Sequence, residues 1–246
     1  MPCQRSLQCK GALMIKSLFA PLLLLSLIQI VSCKPEAAPP APATTPAAAT
    51  SAAETFTEIQ AKAEKGEAQA QLKLSVAYAK GEGVAQNDGE AVKWYRKAAE
   101  QNVAQAQNLL GLSYDEGKGV TQDAVEAATW YRKAAEQGYA DAQYNLGLCY
   151  VSGAGVDKNA AEVVKWYQKA AEQNLAGAQL NLGVCYDEGT GVDKDSVEAM
   201  KWYILAASQG NEDAATYRAQ LEKSMTPDQI ADAKKRSDEF KPKVAP

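Results

Sequence analysis

Cysteine and histidine bound the chemistry open to this chain of 246 residues. No histidine occurs, which removes every His-based triad, general base and metal ligand at once. Five cysteines are present: Cys3, Cys9, Cys33, Cys149 and Cys185. No two form a C-x-x-C pair, so zinc-ribbon and thioredoxin-like readings fail. Cys149 and Cys185 hold the same place in two neighbouring sequence units. Stacked helices lie about 8–10 Å apart, beyond the roughly 7 Å Cα separation that a disulfide tolerates. The two thiols therefore read as small buried residues, standing where other units carry Ala77 and Ser113. No S-x-x-K offers a serine nucleophile a lysine base. Gly-x-Gly-Val recurs at Gly81, Gly117, Gly153 and Gly189, but a phosphate loop needs a preceding strand, and none is expected. Glu90, Glu126, Glu162 and Glu198 look like paired acids beside Asn87, Asp123, Asn159 and Asp195. Their place three residues past a helix-capping side chain reads instead as a capping box. No catalytic, metal-binding or cofactor-binding residue is assigned.

The one side chain with a covalent role is Cys33. A short basic start, Met14-Ile15-Lys16-Ser17, precedes an apolar run from Leu18 to Val31, the layout of an export signal. The run is short for a membrane span, which needs about 20 apolar residues. It ends in Ile30-Val31-Ser32-Cys33, which resembles the bacterial lipobox. That resemblance implies alkylation of the Cys33 thiol by a diacylglyceryl group, cleavage before Cys33, and acylation of the new amino group. The competing reading is an ordinary signal peptide with a chance cysteine. Three acyl chains at about 0.8 kcal/mol per buried methylene would make anchoring effectively permanent. Lys34 follows where an Asp would favour the inner membrane, so a cell-envelope protein of the outer membrane, facing the periplasm, is expected. Residues 1–33 are read as the signal, with Met14 an alternative start.

Residues 34–53 contain Pro35, Pro39, Pro40, Pro42 and Pro46 among alanines, a composition expected to form an extended tether rather than a packed domain. Removing residues 1–33, which hold Arg5, Lys10 and Lys16 and no acid, leaves 23 basic against 30 acidic residues. That balance argues against a nucleic-acid partner. About 190 residues remain, enough for a sizeable core.

What must position any binding group is a repeat. Trp94, Trp130, Trp166 and Trp202 are each 36 residues apart, and a fixed period of roughly 20–50 residues marks stacked units. Gly66, Asn102, Gly138, Asn174 and Gly210 follow the same step and are the residue types that tolerate a left-handed helix end. The first helix (A) of each unit carries one apolar face, such as Ala142, Leu146, Cys149 and Tyr150, at i, i+4, i+7, i+8. Gly111, Gly147 and Gly183 fall inside it. A helix-interior glycine costs about 1 kcal/mol against alanine, which suggests close helix approach. The second helix (B) carries Trp and Tyr on one face, a core stripe rather than a cofactor site. The expected segments are an N-terminal capping helix at 54–65, repeats at 66–101, 102–137, 138–173 and 174–209, and capping helices at 210–241.

The pattern A-x-A-Q, LG-x-x-Y, G-x-GV, D-x-x-E-A-x-x-W-Y-x-KAA-E-Q-G, in that order, resembles the Sel1-like repeat, a relative of the tetratricopeptide repeat. It runs from about Ile59 to Gly210. The resemblance implies an all-α, right-handed α-solenoid of about four 36-residue helix-turn-helix repeats with helical caps, and an adaptor role in assemblies. A cysteine-rich branch of the family, with a disulfide in each repeat, is linked to β-lactam binding, but this chain lacks that pairing.

The candidate binding surface is the concave face of the A helices, at positions that vary between units: Leu72, Lys73, Asn108, Leu109, Leu112, Tyr144, Asn145, Leu148, Leu180 and Asn181. Apolar groups flanked by asparagines suit an extended peptide or partner helix. The alternative is that several of them pack against the next unit. The expected function is a membrane-anchored, monomeric, non-enzymatic scaffold that binds a protein or peptide without a cofactor. A cell-wall or β-lactam-related hydrolase and an effector-immunity lipoprotein are the competing functions.

Overall fold

The structure, a computed structural model, describes residues 54–243. Cys33, the signal segment and the tether lie outside the described residues. Among the described residues there are eleven α-helices and no strand. They are α1 (Phe56–Glu64), α2 (Ala68–Lys80), α3 (Asp88–Glu100), α4 (Ala104–Glu116), α5 (Ala124–Glu136), α6 (Ala140–Ser152), α7 (Ala160–Glu172), α8 (Ala176–Glu188), α9 (Ser196–Ser208), α10 (Glu212–Glu222) and α11 (Pro227–Asp238). Helices α2 to α9 form four A–B hairpins, and each B helix packs on the next A helix. The result is an α-solenoid of four helix-turn-helix units. Helix α1 covers its first A helix, and α10 and α11 both pack on α9.

The punctuation of each unit follows from local chemistry. Asn87, Asp123, Asn159 and Asp195 all accept hydrogen bonds from backbone N–H groups of the first turn of helix B. Asn102 and Asn174 take φ of 64° and 68° at the B-to-A turn, the left-handed value a tight reversal requires. The glutamates depart from the expected capping box. The reciprocal bond forms at Thr55/Glu58 and Thr226/Gln229. In the units, Glu126 and Glu162 turn instead to accept from the Trp130 and Trp166 indole Nε1, at 3.2 and 2.9 Å. A largely buried indole donor needs an acceptor, whereas the cap N–H groups of Asp123 and Asn159 already donate to the Tyr114 and Tyr150 carbonyls, at 3.0 and 3.3 Å.

The A and B helices of one hairpin meet through a tyrosine ring lying on a glycine. Tyr131, Tyr167 and Tyr203 are buried. A Cβ placed on Gly111, Gly147 or Gly183 would stand 2.7, 2.5 and 2.6 Å from those rings. Unit 1 carries Ser75 at this place, with its hydroxyl turned back to the Leu72 carbonyl. The second glycine of each Gly-x-Gly-Val turn has a different task. Gly119, Gly155 and Gly191 lie on the backbone at the start of the preceding unit's B helix, at Asp88, Ala124 and Ala160. Trp130, Trp166 and Trp202 are buried and Trp94 half-buried. Each carries a lysine over its ring, Lys97, Lys133, Lys169 and Lys201 at 3.8, 3.9, 4.4 and 4.2 Å.

The glycine contact gives a testable contrast. Gly147→Ala should destabilise the fold by about 1–3 kcal/mol through overpacking, despite the roughly 1 kcal/mol that alanine gains in helix propensity. In Gly89→Ala the new Cβ meets only the Asn87 side chain, at 3.4 Å, so this variant should match or exceed the parent. Urea unfolding followed by circular dichroism measures both. A Gly147→Ala protein as stable as the parent would remove the ring-on-glycine contact from the account.

Candidate functional site

Two polar ladders cross the unit boundaries. Gln71, Gln107, Gln143 and Gln179 sit near the start of each A helix and are buried. Each donates its side-chain N–H to a carbonyl of the preceding B helix: Ala63, Ala99, Ala135 and Ala171, at 3.1–3.2 Å. Each then accepts from the glutamine that ends its own hairpin: Gln101, Gln137, Gln173 and Gln209, at 2.6–2.8 Å. One glutamine thus ties three helices. Its buried amide is satisfied on both sides, as an interior polar group must be.

The second ladder falls on the candidate binding residues. Asn145 donates to Asn108 at 3.0 Å, and both are buried. Asn181 donates to the Tyr144 hydroxyl at 3.4 Å. Each pair joins neighbouring A helices at a spacing of 37 residues rather than 36. Leu72 is buried and Leu109 half-buried at the corresponding places of units 1 and 2. A Cβ placed on Gly177 would stand 3.5 Å from the Tyr144 ring, and the Tyr144 and Tyr167 ring centroids are 5.7 Å apart. Burial raises the Tyr144 phenol pKa, opposed by the Asn181 hydrogen bond.

The ten candidates therefore divide by environment. Leu72, Asn108, Asn145 and Leu148 are buried between units, the packing role that was the alternative for this face. Lys73 is exposed and paired with Glu54 at 2.7 Å. Leu109, Leu112, Tyr144, Leu180 and Asn181 are half-buried. Val76 and Val184 are half-buried in register with Leu112 and Leu148, so an aliphatic row crosses four A helices. Leu109 and Leu112 line a cleft of about 160 Å³ with Tyr95, Glu116 and Lys118. At the far end Tyr217 is 40 % exposed and stacks on Tyr203. Sequence columns at step 36 hid the asparagine ladder, which runs at step 37. The glutamine relay was legible only as the recurring A-x-A-Q.

Cys149 and Cys185 are buried, and neither forms a disulfide. Burial first, then the nearby Glu188 charge, push the Cys185 thiol up to about 11, which opposes a nucleophilic role.

The Sel1 repeat family model matches residues 68–103, 104–139, 140–175 and 176–211. Among solved structures, the chain is similar to the protective antigen c5321 of uropathogenic Escherichia coli, a protein with an SLR fold. Identity is 37 % and TM-score 0.71, over 78 % of this chain and 41 % of that one. It is also similar to a Sel1 repeat protein of Oxalobacter formigenes, at 38 % identity and TM-score 0.64, over 76 % of this chain and 81 % of the other. The chain thus spans about two fifths of the length of the antigen. No curated protein matches the sequence.

The asparagine pair can be tested by a double-mutant cycle. Asn108→Leu or Asn145→Leu alone should cost about 1–3 kcal/mol, because each leaves a buried amide unpaired. The double variant restores a matched pair of the Leu72/Leu109 kind and should recover most of the loss, with a coupling energy above about 0.5 kcal/mol. Strictly additive losses in chemical denaturation would refute the pairing.

Proposed function

Since this chain belongs to the Sel1 repeat family, we propose that it is a protein-interaction scaffold of the bacterial cell envelope. The scaffold holds a peptide or protein partner on the concave face of its A helices, and a lipid anchor at Cys33 tethers it to the outer membrane on the periplasmic side. The observation that carries this reading is the half-buried aliphatic set Val76, Leu112 and Val184, joined across unit 3 by the buried Leu148 and edged by the half-buried Leu109, Tyr144, Leu180 and Asn181. It crosses four units, and the residues along its edge change from one unit to the next, which gives a partner both apolar area and a register. Burial of Cys149 and Cys185 supports a non-catalytic role over a hydrolase that uses either thiol. The Ile30-Val31-Ser32-Cys33 run and the Pro/Ala-rich stretch after it support the anchor.

Two experiments test the parts separately. A photo-reactive residue at Leu112 or Tyr144 should give a discrete crosslinked species in cells. The same residue at Val125, which is 62 % exposed on helix B, should not. Identical adducts from all three sites, or none from the first two, would defeat the concave-face reading. Cys33→Ser should abolish acyl-chain labelling and release the protein from membranes. A variant that is still acylated and membrane-bound would defeat the anchor.

A further inference from the structure

The last described residues make contacts that no repeat needs for its own hairpin. Beyond α11, residues 240–243 run without regular structure. Phe240 sets its ring edge-on to the Trp202 indole, with centroids 5.6 Å apart and planes at 74°. Three residues later Lys243 meets the end of α7. Its backbone N–H donates to the Glu172 carbonyl at 2.8 Å, and its Nζ pairs with the Glu172 carboxylate at 2.7 Å. The segment thus reaches from helix B of unit 4 to the end of helix B of unit 3.

Both ends of this contact are chemically incomplete without it. The carbonyl of the last helical residue has no partner within its helix, and a carboxylate at a helix C-terminus is opposed by the macrodipole. An N–H and a cation on one residue satisfy both. At the other end, Trp202 differs from the tryptophans of units 2 and 3. Its Nε1 has no partner among the described residues. Glu198, the counterpart of Glu126 and Glu162, is instead held by Arg236 at 2.6 Å and Lys201 at 3.0 Å. Leu205 stands where units 1 to 3 place Lys97, Lys133 and Lys169 over the indole. Unit 4 therefore offers the Trp202 ring beside Leu205, with Lys201 over the indole at 4.2 Å, and the Glu172 carboxylate and carbonyl lie at a fixed distance from it.

We propose that the groove between Trp202 and Glu172 is a docking site for an extended aromatic-x-x-lysine peptide. The chain's own tail fills it as an intramolecular ligand, and a partner segment of the same chemistry displaces that tail. The surface is built on B helices and stands independently of the A-helix reading. An aromatic ring supplies burial against Trp202 and Leu205, and the lysine three residues on completes the end of α7. The tail competes at the millimolar effective concentration typical of a short link, so only a partner presented at high local concentration, or with added contacts, opens it.

The probe is a fluorophore-labelled, N-acetylated Glu-Phe-Lys-Pro-Lys peptide, read by fluorescence anisotropy against the full-length chain. With the tail disabled by Phe240→Ser and Lys243→Glu, the probe should bind saturably, at least tenfold more tightly than to the parent. Adding Glu172→Lys, a change the helix end favours, should abolish binding, and a probe ending in Glu should restore it. No saturable binding to a tail variant whose circular dichroism remains helical would overturn the proposal. So would equal binding to the parent, or binding that Glu172→Lys leaves unchanged.

Discussion

A hairpin of two 13-residue helices has one apolar face too many to stand in water, and the contact that makes it a rigid unit is the tyrosine ring lying on a glycine. With no Cβ at Gly147, the Tyr167 ring descends to the backbone of the A helix, and the two helices close over Leu146 and Ala170, both fully buried. The glycine lowers helix propensity by about 1 kcal/mol, but a large aromatic contributes a burial worth more than that. Everything farther out depends on the separation this contact sets, including where the B helix presents its tryptophan and where the next A helix must lie.

Stacking adds what the hairpin lacks. Apolar burial between units is non-directional and would tolerate some sliding of one hairpin along the next. The buried glutamines remove that freedom. Gln143 meets the Ala135 carbonyl and the Gln173 amide together in only one register, and a slip would strand a desolvated amide at a cost of about 1–3 kcal/mol. The second glycine of each turn works in the same direction, since the approach of Gly155 to Ala124 leaves no room for a side chain. Register between units is thus set by polar geometry and steric exclusion, and its strength by burial.

The fold was legible because its signals are local. Capping residues, left-handed turn positions and the i, i+4, i+7, i+8 stripes act within one unit, and four copies of each make chance agreement negligible. The surface was less legible because its pairing is not local. Asn108 and Asn145 stand in different columns when the units are aligned at their period, so each looked like a free polar group beside apolar ones. They meet because neighbouring A helices are offset by one residue where they touch, a consequence of packing that no single unit encodes. The glutamates at the helix starts misled for the converse reason. Their spacing fits a capping box, but the indole one turn further along the same helix takes the carboxylate, and the cap N–H it would have served is held by a tyrosine carbonyl of the preceding helix.

The interruptions of the repeat carry the individuality of this chain. Where a position keeps its residue type in all four units, as the glutamine relay does, it answers a demand the stack makes of every member. Where the type changes, the demand has been lifted or replaced. On the A helices Leu109, Asn145, Asn181 and Tyr217 succeed one another at corresponding places, and burial falls from the middle of the array to its C-terminal end. On the B helices Leu205 replaces lysine only in the last unit, beside the indole that has lost its carboxylate partner. A strictly periodic solenoid would present the same weak surface many times over. By relaxing periodicity at sites that neither the ring-on-glycine contact nor the glutamine relay uses, the chain acquires distinct surfaces while the forces that hold its units in line stay unchanged.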